Sequence, residues 1–125
     1  MCGINGVWQQ QETIDTLLFD KMRDSLAHRG PDDAGTWMNP DKNIAFGHRR
    51  LSFMDLGSGG KQPMLSSDSK IVISVNGEIY NYPELKSELE KSEHKVITNE
   101  DSEINIHAWR EWGVGMLPKF NGMFA

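Results

Sequence analysis

Cysteine is nearly absent from this chain: Cys2 is the only one among 125 residues. A lone cysteine excludes an internal disulfide, so a reducing, cytoplasmic setting is the expectation. No apolar run is long enough to span a bilayer, and the N-terminus lacks the basic-then-apolar pattern of a secretory signal. Lysine and arginine total 13 against 18 aspartates and glutamates, a net charge of −5. That balance, without a Lys/Arg run, argues against nucleic acid as a partner, as the absent apolar run argues against a membrane. Repeats, low-complexity tracts and linkers are missing too, and the length suits one domain around one core.

Two common ligand signatures are also missing. Gly57-Ser58-Gly59-Gly60-Lys61 lacks the spacing of a phosphate-binding loop, and Gln62 stands where a Ser or Thr is needed, so a surface turn is the better reading. His28, His48, His94 and His107 show no paired ligand spacing, so no metal site is expected. His28 and His48 read as hydrogen-bonding histidines.

What is present begins at Cys2. Removal of Met1 would leave a thiol and a free α-amine on one carbon. The amine titrates near ~7.7–8.0 and the thiol near ~8.5, so the amine can take the thiol's proton and later return it. The same residue could equally be a small apolar side chain opening a buried strand.

The pattern predicts a strand over Cys2–Trp8 and a helix from Thr13, its N-cap, to His28, with Ile14, Leu17, Leu18, Met22 and Leu26 at helical spacing. Gly30-Pro31 ends that helix. Strands follow at Gly35–Met38 and Ile44–His48, the second able to continue through Arg50, Leu51 and Phe53. Asp55–Gln62 is a glycine-rich turn. Lys70–Val75 is apolar on both faces and reads as an interior strand. Pro83 opens a helix over Glu84–Ser92 with Leu85 and Leu89 inward. A short strand is expected at Lys95–Thr98, and a helix at Asp101–Trp112 with Ile104, Ala108 and Trp112 on one stripe and Gly113 past its end. Gly122–Ala125 starts another strand. The order of mixed periods indicates an α+β fold.

Asn76-Gly77 directly follows the apolar strand. Asn offers a side-chain N–H, and Gly lets a backbone N–H approach an anion without a Cβ in the way. Two such donors make an oxyanion hole. An Asn-Gly pair is also a strong turn signal, and taken alone the pair favours the turn. Of the adjacent Arg49 and Arg50 in a strand, only one can face a pocket. Asp101 at a helix start has N-capping as its plain role.

Met1-Cys2-Gly3-Ile4, His28-Arg29-Gly30-Pro31-Asp32, Gly47-His48-Arg49-Arg50-Leu51-Ser52, Gln62-Pro63-Met64, Asn76-Gly77-Glu78-Ile79-Tyr80-Asn81, Asp101-Ser102-Glu103 and Asn121-Gly122-Met123-Phe124-Ala125 occur in this order. Together they resemble the class II glutamine amidotransferase domain, most closely that of glutamine-hydrolysing asparagine synthetases. The resemblance implies an N-terminal-nucleophile hydrolase fold, a four-layer αββα sandwich of antiparallel sheets, of which residues 1–125 would be the front part. It implies hydrolysis of glutamine to glutamate and ammonia, with Cys2 as nucleophile and Asn76 and Gly77 as oxyanion donors. Arg50 would hold the substrate α-carboxylate and Asp101 its α-ammonium. Leu51, Ser52, Phe53, Met54 and Glu78 would line the pocket. The glutaminase step needs no cofactor; ATP and Mg2+ would serve a synthetase domain farther along the same polypeptide, which would amidate aspartate. Glutamine, that domain and a second copy of the chain are the expected partners. Two alternatives stay open: an amidotransferase acting on another carboxylate such as a sugar acid, and a non-catalytic regulatory or interaction fragment. Glu100-Asp101-Ser102-Glu103 departs from the family's usual Ser-Asp-x-Glu by an extra acid beside the ammonium position. Ser58-Gly59-Gly60-Lys61 lacks the acid of a pyrophosphatase-type ATP motif.

Overall fold

β1 (Gly3–Trp8) and β2 (Asp33–Met38) flank β3 (Ile44–Arg50) in an antiparallel sheet of order β1-β3-β2. Gly3 lies opposite Arg49 and Ala34 also faces Arg49, so the centre strand is paired along its whole length. The computed structural model describes residues 1–52, 60–97 and 101–125, and of Asp101 only the backbone. Phe53 and Met54, and most of the expected glycine-rich turn, lie outside the described residues.

One face of this sheet carries α1 (Thr16–Asp24). Its N-cap is Asp15, whose carboxylate accepts from Leu18 N–H at 2.9 Å, and not Thr13. The helix also ends at Asp24, four residues before His28, because Ser25–Arg29 close as turns. The starting point decides which residues face the sheet. Phe19 is buried against Ile14, Ala45, Val7 and Met38, while Leu17, Leu18 and Met22, which set the expected helical spacing, are exposed. Four residues after Phe19, on the same face, Arg23 donates to Asp20 at 3.1 Å and to Thr36 at 2.7 Å. The helix and the turn after it sit close because Gly3 and Gly47 stand beneath them: a Cβ on Gly3 would lie 2.8 Å from Leu26 Cβ, and one on Gly47 3.2 Å from Arg23 Cγ.

The other half of the chain is held by apolar packing. α2 (Tyr82–Lys91) has Pro83 in its first turn and buries Leu85 and Leu89. α3 (Asp101–Trp112) matches its expected span, and Ile104 and Ala108 are fully buried. With Ile79 and Val96 they form one cluster, against which Trp112 packs. Burying a Leu or Ile side chain stabilises by roughly 1.5–3 kcal/mol. Gly113, at φ +56, ends α3 in the left-handed geometry that favours glycine, and a 3-10 helix over Gly113–Lys119 follows that periodicity did not announce.

Two short antiparallel pairs complete the described fold. β4 (Met64–Leu65) pairs with β5 (Val72–Ile73), and β6 (Gly77–Ile79) pairs with β7 (Gly122–Phe124). Lys70–Val75 thus forms a two-residue strand in a two-stranded sheet, half-buried, where an interior strand was expected. Lys95–Ile97 carries no strand: Val96 turns into the apolar cluster, and Ile97 N–H goes to the Glu103 carboxylate at 3.0 Å. The architecture is α+β with antiparallel sheets, as expected. Among the described residues, no helix is long and apolar enough to cross a membrane.

Candidate active site

Alternation along β1 and β3 sorts the site residues by face. Gly3, Gly47 and Arg49 turn toward α1. Cys2, His48 and Arg50 therefore share the opposite face. One step beyond the Gly3–Arg49 pair, Cys2 lies across from Arg50, and its sulfur sits against the next residue. Leu51 N–H points at Cys2 Sγ from 3.4 Å, and Leu51 O lies 3.9 Å from the same sulfur.

The segment after α1 fixes this corner. Arg29 Nε donates to Cys2 O at 3.0 Å. Asp32 N–H donates to Arg50 O at 3.0 Å, and the Asp32 carboxylate accepts Ser52 N–H at 2.7 Å. Gly30 is required between them, since a Cβ there would stand 2.2 Å from Arg49 O. Arg29 and Asp32 were legible only as letters of a motif; nothing in their spacing announced that they tie the chain around Cys2.

The two arginines separate as alternation requires. Arg49 Nε donates to Gly30 O at 2.9 Å and its Nη1 reaches Asp24 at 3.3 Å, on the helix side. Beside it, the Arg23 guanidinium holds the Asp24 carboxyl below the usual carboxylate range. Arg50 reaches across the other face to Gly60, where a Cβ would lie 2.4 Å from Nη2. Glycine at position 60 leaves room for the guanidinium.

Asn76 and Gly77 stand on the edge of the β6–β7 pair, where the expected turn does not form. Asn76 and Ala125 exchange both main-chain hydrogen bonds, each 2.9 Å, and Tyr80 N–H donates to Asn121 O at 2.7 Å. Antiparallel pairs alternate between bonded and non-bonded partners. Gly77, opposite Phe124, falls at a non-bonded position, so its N–H points away from β7. Its φ is +149, and a Cβ would meet Met123 O at 2.0 Å, so both the dihedral and the close approach demand glycine. Oδ1 of Asn76 is buried without a hydrogen-bond partner. Glu78 is exposed, opposite Met123. Asp101 is the first residue of α3.

His48 bridges the two groups of residues. It is buried on the Cys2–Arg50 face, and its Nε2 donates to Val75 O at 3.1 Å, one residue before Asn76. Burial holds its pKa below the ordinary histidine value, outweighing the carbonyl contact that raises it; Arg50 lowers it further and Asp33 raises it. The chain's apolar groove of about 570 Å³, lined by Ile71, Val75, Trp109, Phe120 and Phe124 among others, contains neither Cys2, Arg50 nor Asn76. Among the described residues no group of three His, Cys, Asp or Glu could hold a metal ion.

The sequence profile of the glutamine amidotransferase domain matches residues 1–125. Asparagine synthetase [glutamine-hydrolyzing] 2 of Bacillus subtilis is 40% identical over 129 residues, covering all of this chain and 17% of the relative. Asparagine synthetase [glutamine-hydrolyzing] 1 of Arabidopsis thaliana is 38% identical over 130 residues, covering all of this chain and 21% of the relative. Amidase chry2 of Gibberella zeae is 38% identical over 117 residues, covering 94% of this chain and 16% of the relative. The chain thus spans about a fifth or less of the length of these three relatives.

Proposed function

This chain belongs to the family of glutamine amidotransferase domains, and from that premise we propose that it is the front part of a glutaminase domain serving an asparagine synthetase. In this reading the domain is a four-layer N-terminal-nucleophile sandwich, to whose sheets the three antiparallel sheets of the described residues contribute. Removal of Met1 frees the Cys2 amine, which takes the thiol proton. The thiolate attacks the side-chain amide carbon of glutamine and forms a tetrahedral oxyanion. Collapse of that intermediate breaks the C–N bond. The amine returns its proton to the leaving nitrogen, ammonia departs and a thioester remains. Water then attacks the thioester, giving glutamate and the free thiol.

The observation that carries this reading is the shared face of Cys2 and Arg50 at the adjoining ends of β1 and β3. Arg50 is a planar, permanently charged fork suited to the α-carboxylate, and Asp101 is a natural partner for the α-ammonium. Holding both ends of the amino acid leaves its amide free to reach the sulfur. The outward N–H of Gly77 and the side-chain N–H of Asn76 suit the oxyanion. Leu51 to Met54 and Glu78 complete the pocket in this reading. ATP and Mg2+ belong to the synthetase domain, where ammonia would amidate aspartate in a cytoplasmic enzyme. No step above needs them.

The test is glutamate release from glutamine by the full-length protein, prepared with Met1 removed and with Met1 retained. Release only after removal supports the reading, and equal release from both forms refutes the N-terminal amine as base.

A further inference from the structure

The backbone of Val75, the residue before Asn76, is held at both its N–H and its C=O. Val75 N–H donates to Gln62 Oε1 at 2.6 Å, and Val75 O accepts from His48 Nε2 at 3.1 Å. One residue on, both main-chain groups of Asn76 are taken by Ala125. Four consecutive backbone groups are therefore committed, and they leave the Asn76 side chain and the Gly77 N–H with defined directions. One residue earlier, Ser74 Oγ donates to Gly47 O at 3.2 Å, tying the same strand end to β3.

The two grips come from different parts of the chain. His48 rises from the face of β3 that also bears Arg50, and burial keeps its imidazole neutral near pH 7. Gln62 follows the glycine-rich segment and is let in by Gly35, where a Cβ would lie 1.9 Å from Gln62 O. Its amide has a second use: Nε2 lies 3.5 Å from Ser102 Oγ, on the residue after Asp101. One glutamine side chain thus touches the backbone before Asn76 and the first turn of α3.

We propose that Gln62 and His48 are positioning residues that clamp the two peptide groups flanking the Val75 Cα and so aim Asn76 and Gly77 at the oxyanion, with Gln62 also setting α3 and Asp101 against them. The inference rests on the glutaminase reading above and adds to it two residues that touch no substrate. A donor aimed by rigid supports needs no reorganisation when charge develops, whereas a loosened one forfeits much of its effect.

The test is a double-mutant cycle in the full-length, Met1-processed enzyme, with kcat and KM for glutamine hydrolysis as readouts. Gln62→Leu removes the acceptor, and it should lower kcat by roughly 10–100-fold while KM moves less than about threefold, as expected for a misplaced rather than absent group. Gln62→Glu keeps an oxygen for Val75 N–H and should recover kcat to within about threefold of wild type. In an Asn76→Ala background, Gln62→Leu should cost clearly less than it does beside an intact Asn76, because one of the two donors it aims is already gone. His48→Gln, which retains a donor for Val75 O, and His48→Leu give the same comparison from the other side and serve if Gln62→Leu does not fold. Equal losses with and without Asn76, or a loss confined to KM, overturn the inference and leave the glutaminase reading standing. Failure of the wild-type enzyme to release glutamate removes both.

Discussion

The two halves of this molecule are built on different principles. The half that carries Cys2 and Arg50 packs α1 on its sheet with three fully enclosed apolar residues, Ile14, Phe19 and Ala45. Val7 and Met38 flank that small cluster, and much of the rest is polar: Arg23 to Asp20 and Thr36, Arg49 to Gly30 and Asp24, Arg29 to Cys2 O. The half that carries Asn76 and α3 encloses six apolar residues in one cluster. The Cys2 corner, stitched by directed hydrogen bonds, has its geometry specified bond by bond. The Asn76 strand end, leading through Ile79 into an apolar core, has a stable platform and is tied to the rest of the fold through Gln62 and His48.

The sharpest way to break this contrast is to disturb each half in the other's idiom. Leu89→Ala, at a fully buried position between α2 and the rest of the cluster, should destabilise by about 2–5 kcal/mol in chemical denaturation, and added salt should leave that loss unchanged. Arg23→Ala should cost about 1 kcal/mol, and the loss should shrink as salt screens its pairing with Asp20 and Asp24. A salt-independent loss at Arg23 larger than that at Leu89 would erase the distinction.

A smaller effect tests the sorting of faces. Arg50→Lys should raise the glutamine KM roughly tenfold or more, since a point ammonium cannot reproduce a bidentate grip on a carboxylate. Arg49→Lys should leave KM within about twofold and register as a modest loss of stability, because its Nε bond to Gly30 O disappears. Steady-state kinetics and melting of both variants would show it. The reverse pattern would mean that β3 presents the opposite face to the substrate.

The weakest expected effect is a pH dependence from His48. Burial lowers its folded-state pKa, so the unfolded chain binds the extra proton first as pH falls. Stability is therefore full above the unfolded value near ~6.5 and is lost as pH falls from there through the lower folded pKa. His48→Gln should flatten the stability-against-pH curve across that window. An unchanged slope would show that His48 is not the titrating group.

Much of this was legible in the residues. α3 matches its expected span, and Leu85, Leu89, Ile104 and Ala108 face the core as their periodicity demands. Arg49 and Arg50 diverge because adjacent strand residues must. α1 misled because five apolar residues at helical spacing suggested a stripe, yet the helix starts at Thr16 and the sheet accepts Phe19 and Arg23. Periodicity reports that a face exists; the cap decides which one. β4, at two residues, carries no period at all. Lys95–Thr98 had strand composition but, over its described part, sits beside α3 and spends its polar groups there. Of the candidate site, the positions of Cys2, Arg50, Asn76 and Gly77 could be reached from motifs. The supporting work of Arg29, Asp32, Gln62 and His48 could not, because main-chain contacts across 13 to 27 residues leave no trace in local pattern.

The ladder between β6 and β7 has a mechanical consequence. Its side chains alternate between faces, so a slip of one residue would turn every side chain over, and the nearest permitted displacement is two residues, about 6.6–6.8 Å. Gly77 tightens the constraint, since only a residue without a Cβ can pass so close to Met123 O. Traction on Ala125 is carried by two hydrogen bonds straight into Asn76. The strand behaves as a detent with discrete stops, and force arriving through β7 either leaves Asn76 seated or removes it altogether.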